Sequence, residues 1–172
     1  MTQFKRLLKV AIAIALFSMM AQTVLAHGEE RGQPKATIGG AHVTIDYGRP
    51  LLQGRDPLKL LKPGQVWRMG ASASTTIESD KDLEIGGTRV PKGKHILLAH
   101  LVEPGKWTLL VSSKPWNQYD EGAKIAETPL TLADAPDSVE TVTIQLSEKD
   151  GSGVIEIAWG KMRLSGSFKT AE

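Results

Sequence analysis

The chain has 172 residues, no cysteine, and 21 basic against 19 acidic side chains, a formal net charge of +2. Without cysteine there are no disulfides, no thiol catalysis, no thiolate metal site and no lipid anchored at a cysteine. The lysines and arginines are dispersed along the chain, so no basic face for nucleic acid is expected.

The chain opens with Lys5, Arg6 and Lys9, then an almost wholly apolar run over residues 10–20, then Val24-Leu25-Ala26. This pattern reads as a secretory signal peptide over residues 1–26, cleaved after Ala26. The run is shorter than the ~20 apolar residues that span a bilayer, so no membrane anchor is expected after cleavage. The signal holds three of the basic residues and none of the acids. The remaining 146 residues carry 18 basic against 19 acidic side chains, and the excess of positive charge disappears. A periplasmic or secreted protein with one domain is the expectation.

Residues 27–40 are polar, with Gly, Pro and charge, and read as a flexible leader before a domain over residues 41–172. In "HVTIDY" the apolar Val43, Ile45 and Tyr47 alternate with His42, Thr44 and Asp46, which is the period of a half-buried strand. In "DPLKLLKPG", Asp56 stands at an N-cap, Pro57 at the first helical position and Pro63-Gly64 at a stop, so one helical turn is expected. "TTIES" is a short β-type run, and "DLEIGGTRVP" has two extended arms around Gly86-Gly87, the chemistry of a tight hairpin. "KHILLAHLV" and "WTLLVSS" flank a turn at Glu103-Pro104-Gly105-Lys106. "DEGAKIAET" is a second candidate helical turn. "VETVTIQLS" and "VIEIAWG" flank Asp150-Gly151-Ser152-Gly153, and "MRLSGSF" closes the domain. Eight or nine short strands at close spacing predict an all-β fold: a single antiparallel β-sandwich, jelly-roll-like, with one or two short helical turns.

Few residues offer chemistry. Cleavage after Ala26 would leave His27 at the N-terminus, where an amine and an imidazole can chelate copper, but "HGEERGQPK" supplies no supporting shell. His95 and His100 lie five apart in one expected strand and point to opposite faces. Asp80, Asp82 and Glu84 alternate like the first ligands of a calcium loop, without its glycine or distant glutamate. Ser72 in "GASAS" resembles a nucleophile elbow, yet the β-type Thr75, Thr76 and Ile77 follow it where an elbow continues into helix. No metal or cofactor is expected.

The arginines carry more. Six follow residue 26, and Arg49, Arg55 and Arg68 are close in sequence beside Gly, Pro or Trp. A guanidinium fork grips carboxylates, phosphates or backbone carbonyls. These three therefore either pin loops or form an anion or sugar site at one end of the sandwich. Trp107 and Trp159 fall in alternating strands and are expected in the core. Trp116 and Tyr119 lie in the loop "KPWNQYD", where aromatic rings can stack on a sugar or mark a protein contact. The candidate ligand-binding set is Arg49, Arg55, Trp67, Arg68, Ser72, Trp116 and Tyr119. The favoured reading is a non-catalytic module for a small anionic or sugar-like ligand or a protein partner. The alternative is a hydrolytic or metal-dependent periplasmic enzyme.

The segments "VTIDYGRP", "GRD", "GQVWRMGASASTTI", "VPKGKHIL", "WTLLVSS" and "WNQYD", in that order, resemble the bacterial domain of unknown function family numbered 2911. The resemblance runs from about His42 to the end of the chain. It implies an exported all-β domain and no assigned activity. Three positions depart from the family pattern: Gly48 stands for the usual serine, Ser72 for an asparagine, and His95 for an aromatic residue. The serine at position 72 can still cap a turn.

Overall fold

The computed structural model describes residues 30–172. The signal peptide expected over residues 1–26, and His27, lie outside the described residues. Eleven strands form one antiparallel sheet folded back on itself. They are β1 (Arg31–Gly32), β2 (Lys35–Ile38), β3 (Ala41–Gly48), β4 (Gln65–Trp67), β5 (Thr76–Ser79), β6 (Leu83–Ile85), β7 (Thr88–Val90), β8 (Gly93–Glu103), β9 (Lys106–Ser112), β10 (Lys124–Lys149) and β11 (Ser152–Thr170). The order across the sheet is β1-β3-β5-β8-β9-β10-β11-β6-β7, with β2 also on β3 and β4 also on β8.

The all-β architecture follows from alternation. Ala41, Val43, Ile45 and Tyr47 of β3 are buried, while His42 is exposed. Inward residues from β3, β5, β8 and β9 meet those from β10 and β11 in one core that includes Val43, Ile77, Leu109, Ile144 and Ile157. The return of the sheet onto itself is fixed by contacts between strands that are not sheet neighbours. The Ile144 backbone N–H donates to the Tyr47 hydroxyl at 2.9 Å, and Gly153 leaves room for Ile38 and Phe168, either of which a Cβ would strike within 2.8 Å.

β10 is the hinge of the two layers. Its first residues pair with β9, from Lys124↔Ser112 to Leu130↔Trp107. From Thr131 onward it pairs with β11, to Lys149↔Ser152. The strands expected separately at "VIEIAWG" and "MRLSGSF" are one strand bent at Gly160, whose φ is +57°, where the register with β10 shifts. Among the described residues helix is confined to 3-10 turns at Pro57–Lys59, Trp116–Gln118 and Glu121–Ala123. The first is capped as its sequence predicts, with the Asp56 carboxylate accepting from the Leu58 N–H at 3.1 Å.

One expectation is corrected. Of the residues assigned to a flexible leader, 31–32 and 35–38 are strands on β3, and Ile38 is fully buried. "KATI" carries just two inward residues, Ala36 and Ile38, too few for alternation to stand out. Arg31 adds an ion pair to Asp46 at 2.9 Å.

The segment "QVWRMGASASTTI" forms a strand broken in the middle. Both β4 and β5 pair with β8, at Trp67↔Ala99 and Thr76↔Ile96. The intervening residues 68–75 bulge away as an excursion. It is held at its exit by the Leu97 N–H, which donates to the Thr75 carbonyl at 2.9 Å. Met69 is fully buried at φ +53°, and Ser72 is exposed at φ +52°.

Candidate functional site

Residues 51–64 cross one end of the sandwich as a lid. The Leu52 N–H donates to the Glu140 carbonyl at 2.6 Å, and the Gly64 N–H donates to the Leu101 carbonyl at 2.7 Å, so both ends are stitched to strands. Between them the lid rests on Gly160, where a Cβ would come within 3.3 Å of Pro57. Leu51, Leu58 and Leu60 of the lid remain at least 40 % exposed.

Beneath the lid lies a cavity of about 230 Å³. Pro57, Leu60 and Leu61 form its roof, and Trp67, Trp107, Trp159, Met162 and Arg68 its walls. The Trp67 and Trp159 rings stack with centroids 5.8 Å apart and planes at 10°. Trp107 and Trp159 are 2 % and 5 % exposed, buried as their strands predict, yet the indole N–H of each has no hydrogen-bond partner among the described residues. A buried donor left unpaired costs about 1–3 kcal/mol, and both nitrogens are sealed from the hollow and from solvent as well as from protein acceptors.

Two guanidiniums attend the cavity. Arg55 lies 5.4 Å from the centroid of the Trp159 ring. Its Nε donates to the Leu52 carbonyl at 2.9 Å and its Nη2 to the Leu51 carbonyl at 2.6 Å, which fixes the lid's entry. Arg68 lies 5.4 Å from the Trp116 centroid and donates through Nε to the Gly70 carbonyl at 3.1 Å. Its Nη1 makes a longer contact, 3.4 Å, to the Ser72 carbonyl. Neither arginine pairs with a carboxylate among the described residues.

Of the seven residues expected at a site, Trp67 and Arg68 line this hollow, while Arg55 lies over the Trp159 ring and lines a separate hollow of about 350 Å³ with Asp56 and Asp134. Arg49 does not. It pairs with Glu30 and donates to the Val142 carbonyl at 3.4 Å, which ties the start of the described chain to β10. Ser72 contributes its carbonyl to Arg68 and shapes the excursion; the strand after it has no elbow geometry. Trp116 is 43 % exposed on Arg68. Tyr119 lies near Glu121, Lys124 and Glu127, among which Lys124 pairs with both acids at 3.0 Å. Burial pushes the Tyr119 hydroxyl pKa up, and the Glu121 carboxylate adds to the rise. Burial also acts to raise the pKa of Glu127. The Thr108 hydroxyl and the Lys124 ammonium overcome that and hold it below the ordinary value. Trp107 and Trp159 were legible as buried residues, and their role as cavity walls was not.

The other sequence candidates disperse. His95 and His100 occupy opposite faces of β8, with His95 Nε2 2.7 Å from the Pro91 carbonyl. Asp80 accepts from the His42 N–H, Asp82 from Arg89 and the Lys92 N–H, and Glu84 pairs with Lys169. Among the described residues no three His, Cys, Asp or Glu side chains are placed to hold a metal ion. A larger hollow of about 420 Å³ runs along β10 and β11 past Thr143, Gln145, Glu156 and Arg163. Its lining side chains are mostly exposed or half-buried, and none of them has a buried polar atom without a partner.

A family model described as "Protein of unknown function (DUF2911)" matches residues 30–168. The chain belongs to that family. No curated protein and no solved structure matches it. The DUF2911 match begins at Glu30, just before β1, and so takes in the two short strands that composition alone assigned to a leader. It also spans the whole lid and every wall of the tryptophan cavity. Gly48 sits tightly under the excursion. A Cβ there would come within 2.3 Å of the Ala71 carbonyl oxygen, so the excursion packs against a position that has no room for a side chain.

Proposed function

We propose that this domain is a non-catalytic binding module whose small ligand occupies the tryptophan-lined cavity under the lid. The observation that carries the reading is one hollow lined by three tryptophans, Pro57, Leu60, Leu61 and Met162, with a single charged group, the Arg68 guanidinium, among its lining. Apolar walls with a few convergent polar groups are the general design of a small-molecule site. The volume is below the ~300–1,000 Å³ usual for drug-sized ligands, which points to a small molecule. The cavity walls carry no His, Asp, Glu, Lys, Ser or Thr, so no group on them is suited to move a proton near neutral pH. That supports binding over the enzyme reading. The signal-like start of the chain supports placing this binding in the periplasm or outside the cell.

The test is a thermal-shift screen of the protein against small aromatic and aliphatic acids, amides, amines and sugars, with tryptophan fluorescence as the second readout. A ligand of the native state raises stability by mass action. The expected result is one class that raises Tm in the wild type and in Arg49→Gln, which is remote from the cavity, but not in Leu60→Trp, which fills the roof. Shifts that persist unchanged in Leu60→Trp would remove the cavity from the account.

A further inference from the structure

The exposed large apolar side chains among the described residues gather at one end of the domain. Leu51, Leu58 and Leu60 of the lid are 50 %, 40 % and 45 % exposed, and Trp116 is 43 % exposed. Trp116 joins them through Arg68, whose guanidinium lies 5.4 Å from its ring and lines the same hollow as Leu60. A typical domain surface scatters such residues singly, and a cluster of them marks a contact. Positive charge is concentrated at the same place. Residues 51–64 hold Arg55, Lys59 and Lys62 against Asp56 alone. The rest of the chain after residue 26 has 15 basic and 18 acidic side chains. An acidic domain thus carries a basic, leucine-rich end.

We propose that the outer face of the lid docks on an anionic phospholipid surface. Leu58, Leu60 and Trp116 enter the boundary between headgroups and acyl chains, while Lys59 and Lys62 lie among the phosphates. The composition of the lid favours lipid over a protein partner. Lysine is depleted from protein interfaces. Interleaved with leucine, as in "PLKLLKP", it suits a lipid surface, where its stem covers apolar area and its ammonium stays with the headgroups. Tryptophan is enriched at that boundary. The Lys59 side chain is 84 % exposed, and its one ion pair is to Asp56 of the same turn, at 3.4 Å. The concavities here are two short hollows with Leu61 and Trp107 common to both, rather than one long groove for a peptide. The docking face is the outside of the lid, so the proposal stands whether or not the tryptophan-lined hollow takes a ligand.

The test uses vesicles of equal parts phosphatidylglycerol and phosphatidylcholine, with bromine on the upper acyl chains as a contact quencher. All four tryptophans lie at positions 67, 107, 116 and 159, so quenching of their emission reports on the domain. Quenching is expected with these vesicles at low salt, to fall away at high salt, and to be absent with phosphatidylcholine alone. Trp116→Phe should remove most of it. Lys59→Gln and Lys62→Gln should each weaken apparent binding about fivefold. Leu58→Gln should weaken it at least fivefold, and Leu58 does not line the tryptophan cavity. These positions are exposed, and an unchanged Tm confirms that each variant is folded. Lys94→Gln is the control. It sits seven residues along β8 from Leu101, where the lid is stitched, and so ~23 Å away. Absence of quenching by the anionic vesicles overturns the proposal. So does equal quenching by the neutral ones, or a loss in Lys94→Gln as large as in the lid variants. A dimer in sedimentation without lipid that Leu58→Gln dissociates would assign the face to a second copy of the chain and overturn lipid docking.

Discussion

Replacing Trp159 with phenylalanine separates a packed indole from an unsatisfied one. Trp159 is 5 % exposed, so the change removes buried ring. The difference between the two aromatics is roughly 50 Å² of apolar surface, worth about 1–1.5 kcal/mol. A weaker contact with Arg55 adds about 0.5 kcal/mol. Against this, the substitution deletes a buried N–H without a partner, which relieves about 1–3 kcal/mol. The terms nearly cancel, and Trp159→Phe should fall within about 1 kcal/mol of wild type. Leu109→Ala, at a site 1 % exposed with no polar group to relieve, should lose about 2–5 kcal/mol. Urea unfolding followed by circular dichroism gives both numbers, with unchanged m-values confirming comparable transitions. A loss of about 3 kcal/mol or more in Trp159→Phe would mean that the indole N–H is paired in the folded protein.

Two further outcomes are expected. Gly86 and Gly87 form one hairpin turn, both at positive φ, but a Cβ at Gly86 would lie 1.8 Å from the Glu127 carbonyl oxygen while Gly87 has nothing within 4 Å. Gly87→Ala should cost about 1–2 kcal/mol of backbone strain and Gly86→Ala at least ~3 kcal/mol, and equal losses in urea melts would show that β10 yields at that contact. Asp82 accepts from the Lys92 N–H at 2.8 Å and from Arg89 at 2.7 Å, in that order of effect, and its carboxyl lies below the ordinary value. A lowered folded pKa gives stability that is complete above the unfolded value and is lost as pH falls through the folded one. Asp82→Asn should therefore be less stable at neutral pH and show a flatter decline below about pH 4, whereas parallel acid limbs would deny Asp82 that role.

Alternation and turn chemistry made most of the fold readable. The strands at "HVTIDY", "KHILLAHLV" and "WTLLVSS", and the turns at Gly86-Gly87 and Asp150-Gly151, lie where their sequences place them. The misses share one cause, which is that backbone pairing held segments whose side chains gave no period. β1 and β2 are short edge strands. In the middle of β10, "LADAPDSVE" runs mostly exposed, and its pairing with β11 supplies the order that its side chains do not show. The site was harder to read. Three arginines close in sequence suggested one locus, yet Arg49 turns to Glu30 and Val142 while Arg55 and Arg68 flank the cavity. Trp67 and Trp159 meet only because β4 and the bend at Gly160 face each other across the layers. A buried tryptophan can be inferred from its strand. The lack of an acceptor for its N–H depends on every neighbour at once.

The broken strand formed by β4 and β5 has a bearing on how this domain tolerates change. Its two halves are registered independently on β8, at Ala99 and Ile96, so the length of chain between them does not set the pairing of either half. An ordinary insertion within a strand shifts every later side chain to the opposite face. Here extra residues at the exposed Ala73 would lengthen only the excursion and leave both registers intact. The domain thus offers, within one turn of chain from Arg68, a place where a short peptide or a fluorophore-bearing residue can be grafted to report on the cavity without re-threading the sheet.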